Sequence, residues 1–453
     1  MTKVDLIIHN AGQLVTCASD GKPKRGAAMQ DVGTISNGAV AIKHGKFVGV
    51  GKSKQILAKF EAEQTIDAER RVVCPGFVDP HTHIVYAGDR LNEFELKIKG
   101  AEYLDILAGG GGIISTVVRT RKASIANLVK QARGRLEKML ACGTTACEIK
   151  TGYGLDTNTE LKMLRVIGEL ENTHPMDIVP TFLAAHTVPP EFKGNTEGYV
   201  DLICEEMLPA AADWYSIFFL QKNMRRLFHD LQRADSSRIW GCAGILEGPS
   251  EPPVMDFFVD VFTEKNAFDR GQMGRILSRA KALGFKLKAH VDQFTNLGGS
   301  RLAIRSGAVS IDHLDAISRS EIKELAASET IGVVIPTENF NAGKTKFAPA
   351  RKLVDAGCAI ALSTDYNPGS APCPSQPMAM AISCRYQKLL PSEAFNAVTI
   401  NAAYAIGLGD THGSIEVGKK ADLLVADVSD YRQLAYEFGG NLITKVIKSG
   451  EAL

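Results

Sequence analysis

The sequence predicts an α/β fold: a (β/α)8 TIM-type barrel with a small β-sandwich domain formed by both chain ends. Three observations predict it. Eight short apolar runs alternate with helix-like segments between Val72 and about Gly409. Both chain ends instead carry short alternating runs punctuated by Gly, Asn and Lys, a pattern of small antiparallel sheet. A length of 453 residues accommodates one large barrel and one satellite. The expected division is 1–71 and 410–453 for the small β domain and 72–409 for the barrel, with an atypical insertion at about 214–255.

The N-terminal part contains Val4 to about Ile66, with runs such as Gly38 to Ile42 and Lys46 to Val50; its C-terminal counterparts are Gly413 to Ala426 and Leu442 to Ile447. The first barrel strand is expected in the apolar run from Val72 to Val78. The next seven are Thr144 to Ile149, Ile178 to Ala184, Phe257 to Phe262, Phe285 to His290, Ala308 to Ile311, Ile331 to Ile335 and Ala359 to Ser363. Between them, Ile125, Leu128, Val129, Ala132, Leu136 and Met139 form a helical stripe that stops at Gly143. Thr157 with Glu160 reads as a capping box for the following helix. The stretch from Trp214 to Met255 breaks the alternation. It lies between the third helix and the fourth strand, so it is expected at the amino-terminal face, away from the chemistry.

That chemistry is expected at the carboxyl ends of the strands. In Val78-Asp79-Pro80-His81-Thr82-His83 the two histidines alternate along extended chain, so their imidazoles can converge on one divalent ion. Alone, a His-x-His pair is a weak signal and more often two surface or hydrogen-bonded histidines. Two further strands end in candidate ligands, His290 and Asp365. Three histidines and a carboxylate, each at a strand exit, form a site suited to zinc or iron with room for a water. The fourth strand ends Val261-Phe262-Thr263-Glu264 without a bridging lysine, which favours one metal ion over two, while Glu264 and Lys265 leave a second ion open.

A divalent ion in such a site activates water at neutral pH, and the implied reaction is hydrolysis of a C–N bond. Asp365 can accept the water's proton and pass it to a leaving nitrogen. His313, at the next strand exit, either polarises the carbonyl under attack or is a hydrogen-bonded barrel histidine. Gln293 stands where a carboxylate could shuttle protons; an amide can only donate and accept hydrogen bonds, so a binding role is expected. Arg90 either clamps a substrate carboxylate or forms a surface ion pair with Asp89 or Glu93. Tyr153 and His186 offer further donors to that carboxylate. Gly109 to Gly112 lacks the Lys-Ser/Thr ending of a phosphate loop and is expected as a flexible loop near the pocket.

Composition narrows the partners. Lys+Arg 52 against Asp+Glu 51 gives a net charge of +1, which argues against nucleic acid or an anionic membrane. No apolar run is long enough to cross a bilayer, and the N-terminus lacks a secretory signal. The nine cysteines are scattered without a Cys-x-x-Cys pair, as expected of reduced thiols in a cytoplasmic protein. A small-molecule partner is expected; a homodimer is left open.

Pro75-Gly76-Phe77-Val78-Asp79-Pro80-His81-Thr82-His83, Gly413 to Leu423 and the Asp365 strand resemble the amidohydrolase superfamily. Ala87 to Phe94, Lys150 to Leu155 and Thr364 to Ser370 resemble, more narrowly, its imidazolonepropionase family. The resemblance implies opening of 4-imidazolone-5-propanoate to N-formimino-L-glutamate in histidine degradation. It implies His81, His83, His290 and Asp365 as ligands of one zinc or iron ion, and Arg90, Tyr153, His186 and Gln293 as substrate contacts. Asn367, Gly369 and Ser370 would line the product side. The alternatives are a purine or pyrimidine aminohydrolase, against which Arg90 and Gln293 argue, and a metal-binding scaffold without turnover.

Overall fold

The computed structural model describes residues 1–100, 111–233 and 257–453. Eight strands form the barrel: β6 (Phe77–Asp79), β7 (Thr144–Lys150), β8 (Asp177–Ala185), β9 (Phe258–Thr263), β10 (Lys286–Val291), β11 (Ser310–His313), β12 (Ile331–Val334) and β13 (Ile360–Leu362). They pair in sequence order, and each registered pair is parallel. Helices follow the strands because the intervening sequence carries one apolar stripe per helix, as in Ile125–Ala141, whose Leu128, Ala132, Leu136 and Met139 are buried.

The seam between β13 and β6 is closed by side chains. The Asp79 carboxylate accepts from the Ser363 hydroxyl, the Thr364 amide at 3.2 Å and the Thr364 hydroxyl at 2.5 Å. Gln376 Nε2 donates to the carbonyls of Val78 and Leu362. Thr82 and Tyr366 form a parallel bridge just beyond.

The other sheet draws on both chain ends: β1 (Thr2–Val15), β2 (Thr34–Lys43), β3 (Lys46–Lys52), β4 (Phe60–Asp67), β5 (Val72–Pro75), β14 (Leu423–Ala426), β15 (Ile443–Lys448) and β16 (Glu451–Ala452). It curls into a small sandwich around Leu6, Leu14, Val40, Phe47, Val73, Leu423, Val425 and Ile447. Its pairing is mixed, not purely antiparallel as expected, because β1 runs parallel to both β4 and β5.

Three sequence expectations change. The apolar run from Val72 is two strands: β5 pairs with β1 and β14, and only β6 belongs to the barrel. Gly76 is the joint, where a Cβ would meet Thr145 Oγ1 at 2.1 Å. The capping box at Thr157 is absent: Asp156 caps the helix through the Thr159 amide at 2.8 Å, and Glu160 instead accepts from the amides of Gly152, Gly154 and Leu155. The stretch from Trp214 opens inside a helix that already runs from Leu208 to Arg233, with Trp214 stacked on Phe218 and Tyr215 on Phe257. The rest of that stretch, from 234, lies outside the described residues, as do Gly109 and Gly110 of the expected glycine loop.

Inside the barrel the side chains form layers. Toward the amino ends of the strands, Val78, Ala146, Val179, Phe258, Val333 and Ala361 pack against Ala402, Ala403 and Ala405. Two residues further along β7 come Glu148 and then Lys150, both fully buried, with Lys288, Asp260 and Asp312 beside them. The histidines stand beyond this charged layer.

Candidate active site

His81 and His83 leave β6 on extended chain and their Nε2 atoms lie 3.2 Å apart. Asp365 Oδ1 is 3.6 Å from each of them. The His290 ring centroid is 4.4 Å from that of His81 and 5.5 Å from that of His83. Nitrogens of His81, His83 and His290 all fall within 4.8 Å of one another, and so do ligand atoms of His81, His313 and Asp365. His81, His83 and His290 thus gather in one cluster, and His81, His313 and Asp365 in a second that shares His81.

The donor set fits a divalent cation. Burial first, then the charge of Lys150 on His81 and the neighbouring His186 on His83, hold both imidazoles well below their usual pKa and hence neutral. Neutral ring nitrogens are the ligating form. Both ring nitrogens of His290 are buried without an aligned hydrogen bond, although Asp260 Oδ2 lies 3.0 Å from its Nδ1. Burial pushes the Asp365 carboxyl up to about 8 despite the opposing charge of His313; a bound cation is the partner that returns such a group to its ionised form. Asp365 and His313 both have left-handed backbone, with φ of 48° and 81°, a strain of about 1–3 kcal/mol each of the kind held at functional sites.

Beneath lies a buried charge network that the sequence reading missed. Asp312 Oδ2 is 2.6 Å from His81 Nδ1. Lys150 Nζ touches Asp260 at 2.7 Å and Glu148 at 2.8 Å, and Lys288 Nζ reaches Glu148 at 3.0 Å and the Pro80 carbonyl at 2.9 Å. Although burial disfavours its charge, the three carboxylates of Asp260, Glu148 and Asp312 raise the Lys150 pKa. The alternation of Glu148 with Lys150 and the adjacency of Asp312 to His313 were the available signals.

Arg90 is bound through Nε and Nη2 to Glu93 Oε2, each at 2.7 Å, and its Nη1 lies over Gly369, where a Cβ would be 2.1 Å away. The ion pair foreseen as the alternative is therefore real, and Arg90 also lies against the Asn367–Ser370 loop. Tyr153 is buried within ring contact of His83 and His186. His186 stacks on His83 at 5.0 Å and its Nδ1 is 3.1 Å from the Gly152 carbonyl. Burial first, then His290, takes the His186 pKa to about 3. Asn367 shapes its own loop: its Nδ2 donates to the Asp365 carbonyl at 2.7 Å and to Ser370 Oγ at 2.9 Å, and its Oδ1 accepts from the amides of Gly369 and Ser370. Gln293 Nε2 donates to Glu338 Oε2 at 2.9 Å. Glu338, unnoticed in the sequence, opens the helix Pro336–Asn341 after β12. Glu264, the residue that kept a second metal open, accepts from the amides of Phe294 and Thr295.

Residues 273–453 match the model of the amidohydrolase family. Over 453 residues, all of this chain and 99% of the relative, the chain is 47% identical to the imidazolonepropionase of Chloroflexus aggregans. The chain belongs to the imidazolonepropionase family. Other members include that of Herpetosiphon aurantiacus, 47% identical over 100% of this chain and 98% of the relative. The family member of Alkaliphilus oremlandii is 42% identical over 99% and 97%. Among solved structures, an adenosine deaminase from Xanthomonas campestris with bound zinc superposes with a TM-score of 0.69 at 18% identity, covering 100% of this chain and 93% of that one. Guanine deaminase from C. acetobutylicum with bound guanine gives 0.68 at 15% identity, covering 99% of each. These likenesses carry the fold alone; membership of the imidazolonepropionase family rests on the sequence relatives, and it makes the chain a hydrolase acting on C–N bonds. The eight cysteines among the described residues are all free, and no described helix is long and apolar enough to cross a membrane.

Proposed function

We propose that the chain hydrolyses the cyclic amide C–N bond of 4-imidazolone-5-propanoate, giving N-formimino-L-glutamate in histidine degradation. The observation that carries this reading is the convergence of His81, His83 and Asp365 on one point, with nitrogen–oxygen separations of 3.6 Å, beneath a rim that holds Arg90 against Gly369. His81, His83, His290 and Asp365 would hold one zinc or ferrous ion. When bound, that ion supplies Lewis-acid activation of a water.

The chain's own groups do the rest. Asp365 accepts the attacking water's proton and delivers it to the departing ring nitrogen. His313 has a raised pKa because, against its burial, Glu338 lies 3.3 Å from its Nδ1; it faces the carbonyl under attack as a donor. Arg90, held in place by Glu93, binds the propanoate carboxylate, and Tyr153 and His186 donate beside it. Gln293 hydrogen-bonds the ring, and Asn367, Gly369 and Ser370 line the product side. The free thiols and the substrate class fit a cytoplasmic enzyme.

Ultraviolet loss of imidazolone propanoate by the metal-loaded protein, with N-formimino-L-glutamate as product, tests the reading. Ammonia release from a purine or pyrimidine without imidazolone loss would replace it with the aminohydrolase reading.

A further inference from the structure

One carboxylate near the reacting groups enters the reading above only through its contact with His313. Glu338 is 3% exposed. Its Oε2 accepts from Gln293 Nε2 at 2.9 Å and lies 3.3 Å from His313 Nδ1, and its Oε1 accepts from Lys344 Nζ at 3.1 Å. The His313 contact is at ion-pair distance, and the Gln293 contact is a formed hydrogen bond. Burial alone would raise the Glu338 pKa, but His313 and Lys344 bring it down to about 2. It is thus an ionised, acceptor-only group.

An acceptor-only neighbour settles which end of a carboxamide faces it. Gln293 must present Nε2 to Glu338, which leaves Oε1 as the end Glu338 does not hold. The Glu338 oxygen that accepts from Gln293, Oε2, also lies 3.3 Å from Nδ1 of His313. Two side chains that the proposed reaction uses are therefore oriented by one buried carboxylate.

We infer that Glu338 is a positioning residue of the hydrolytic site, fixing the Gln293 carboxamide as an acceptor toward a substrate N–H and holding the His313 imidazole beside the carbonyl under attack. The inference rests on the proposed ring opening and adds a residue to it. The mechanism is electrostatic. A carboxylate orients both groups before the substrate arrives, so its loss falls on the transition state more than on substrate binding.

The test uses the metal-loaded full chain and three variants: Glu338→Gln, Gln293→Glu, and the swap of both. Glu338→Gln keeps the shape and removes the acceptor-only charge; kcat should fall roughly 10²-fold, with KM changed less than about threefold and the thermal midpoint kept. The swap, which returns a carboxylate to the same hydrogen bond from its other end, should recover at least about tenfold of that loss. A purely structural role predicts instead a thermal midpoint that falls in Glu338→Gln and returns in the swap. A wild-type kcat in Glu338→Gln, or a folded swap no faster than Glu338→Gln, overturns the inference. A readout independent of turnover is the Gln293 carboxamide in glutamine-labelled protein, assigned by its loss in Gln293→Glu. Slowly exchanging Nε2 protons in the wild type that become fast in Glu338→Gln support the inference, and fast exchange in the wild type refutes it. If the wild type keeps the protected carboxamide but does not consume imidazolone propanoate, the proposed reaction has failed while the positioning by Glu338 stands.

Discussion

Nδ1 of His81 lies 2.6 Å from Oδ2 of Asp312, a residue on β11 that is 231 positions away in the chain. The contact fixes the tautomer: with Nδ1 protonated toward Asp312, Nε2 carries the lone pair toward His83 and Asp365. Asp312→Asn should therefore weaken metal affinity by roughly 10–100-fold while leaving the fold intact. Metal content after dialysis against a graded chelator checks this. Unchanged retention would mean that Asp312 serves the buried lysines instead.

Asp365 is the proposed proton carrier as well as a ligand. Asp365→Asn should lower kcat by at least ~10²-fold, in a protein that still melts as the wild type does. Near-normal turnover would reject that role and move proton transfer to His313.

Arg90 stands between two roles, since Glu93 already holds it. Arg90→Ala should raise KM at least about tenfold with kcat little changed, because a carboxylate clamp acts equally in ground and transition state. Steady-state kinetics with imidazolone propanoate decide; an unchanged KM would make the Glu93 pair the whole of its function.

The small domain is latched to the barrel by charge. Lys448, on β15, bonds Asp422 at 2.5 Å and also Asp177 at the start of β8, where Lys420 and His412 also converge. Lys448→Ala strands the buried Asp422 carboxylate and should cost about 3–5 kcal/mol, read by urea unfolding. Burial alone would raise the Asp177 pKa, but the hydrogen bond from His412 and the charges of Lys448 and Lys420 hold it well below the usual carboxylate range. A depressed folded pKa contributes stability that is complete above the unfolded value of ~3.9 and is lost as pH falls below it. Wild-type stability should thus drop from about pH 4 downward, and that drop should shrink in Asp177→Asn.

The expected meeting of His81, His83, His290 and Asp365 came from strand exits, which a parallel barrel gathers at one rim; ligand atoms of the three histidines lie within 4.8 Å of one another, as do those of His81, His313 and Asp365. What the sequence concealed has physical reasons. Val72 to Val78 looks like one strand because apolar content does not mark the joint at Gly76, which depends on the approach of Thr145. Thr157 and Glu160 have capping-box spacing, but Asp156 competes for the cap and Glu160 has loop amides to satisfy. Lys150 and Lys288 look like surface charges until the barrel closes around Glu148, Asp260 and Asp312. Glu338 lies 45 positions from Gln293 and meets it only through tertiary folding.

One cation, held by those four side chains, is proposed to enable ring opening. The most direct measurement of this is the ultraviolet decay of imidazolone propanoate by one preparation assayed as purified, after chelation, and after return of a single equivalent of zinc or ferrous ion. The account predicts decay, loss of decay, and recovery at one ion per chain, with N-formimino-L-glutamate accumulating. Decay that persists in the fully stripped protein would contradict it.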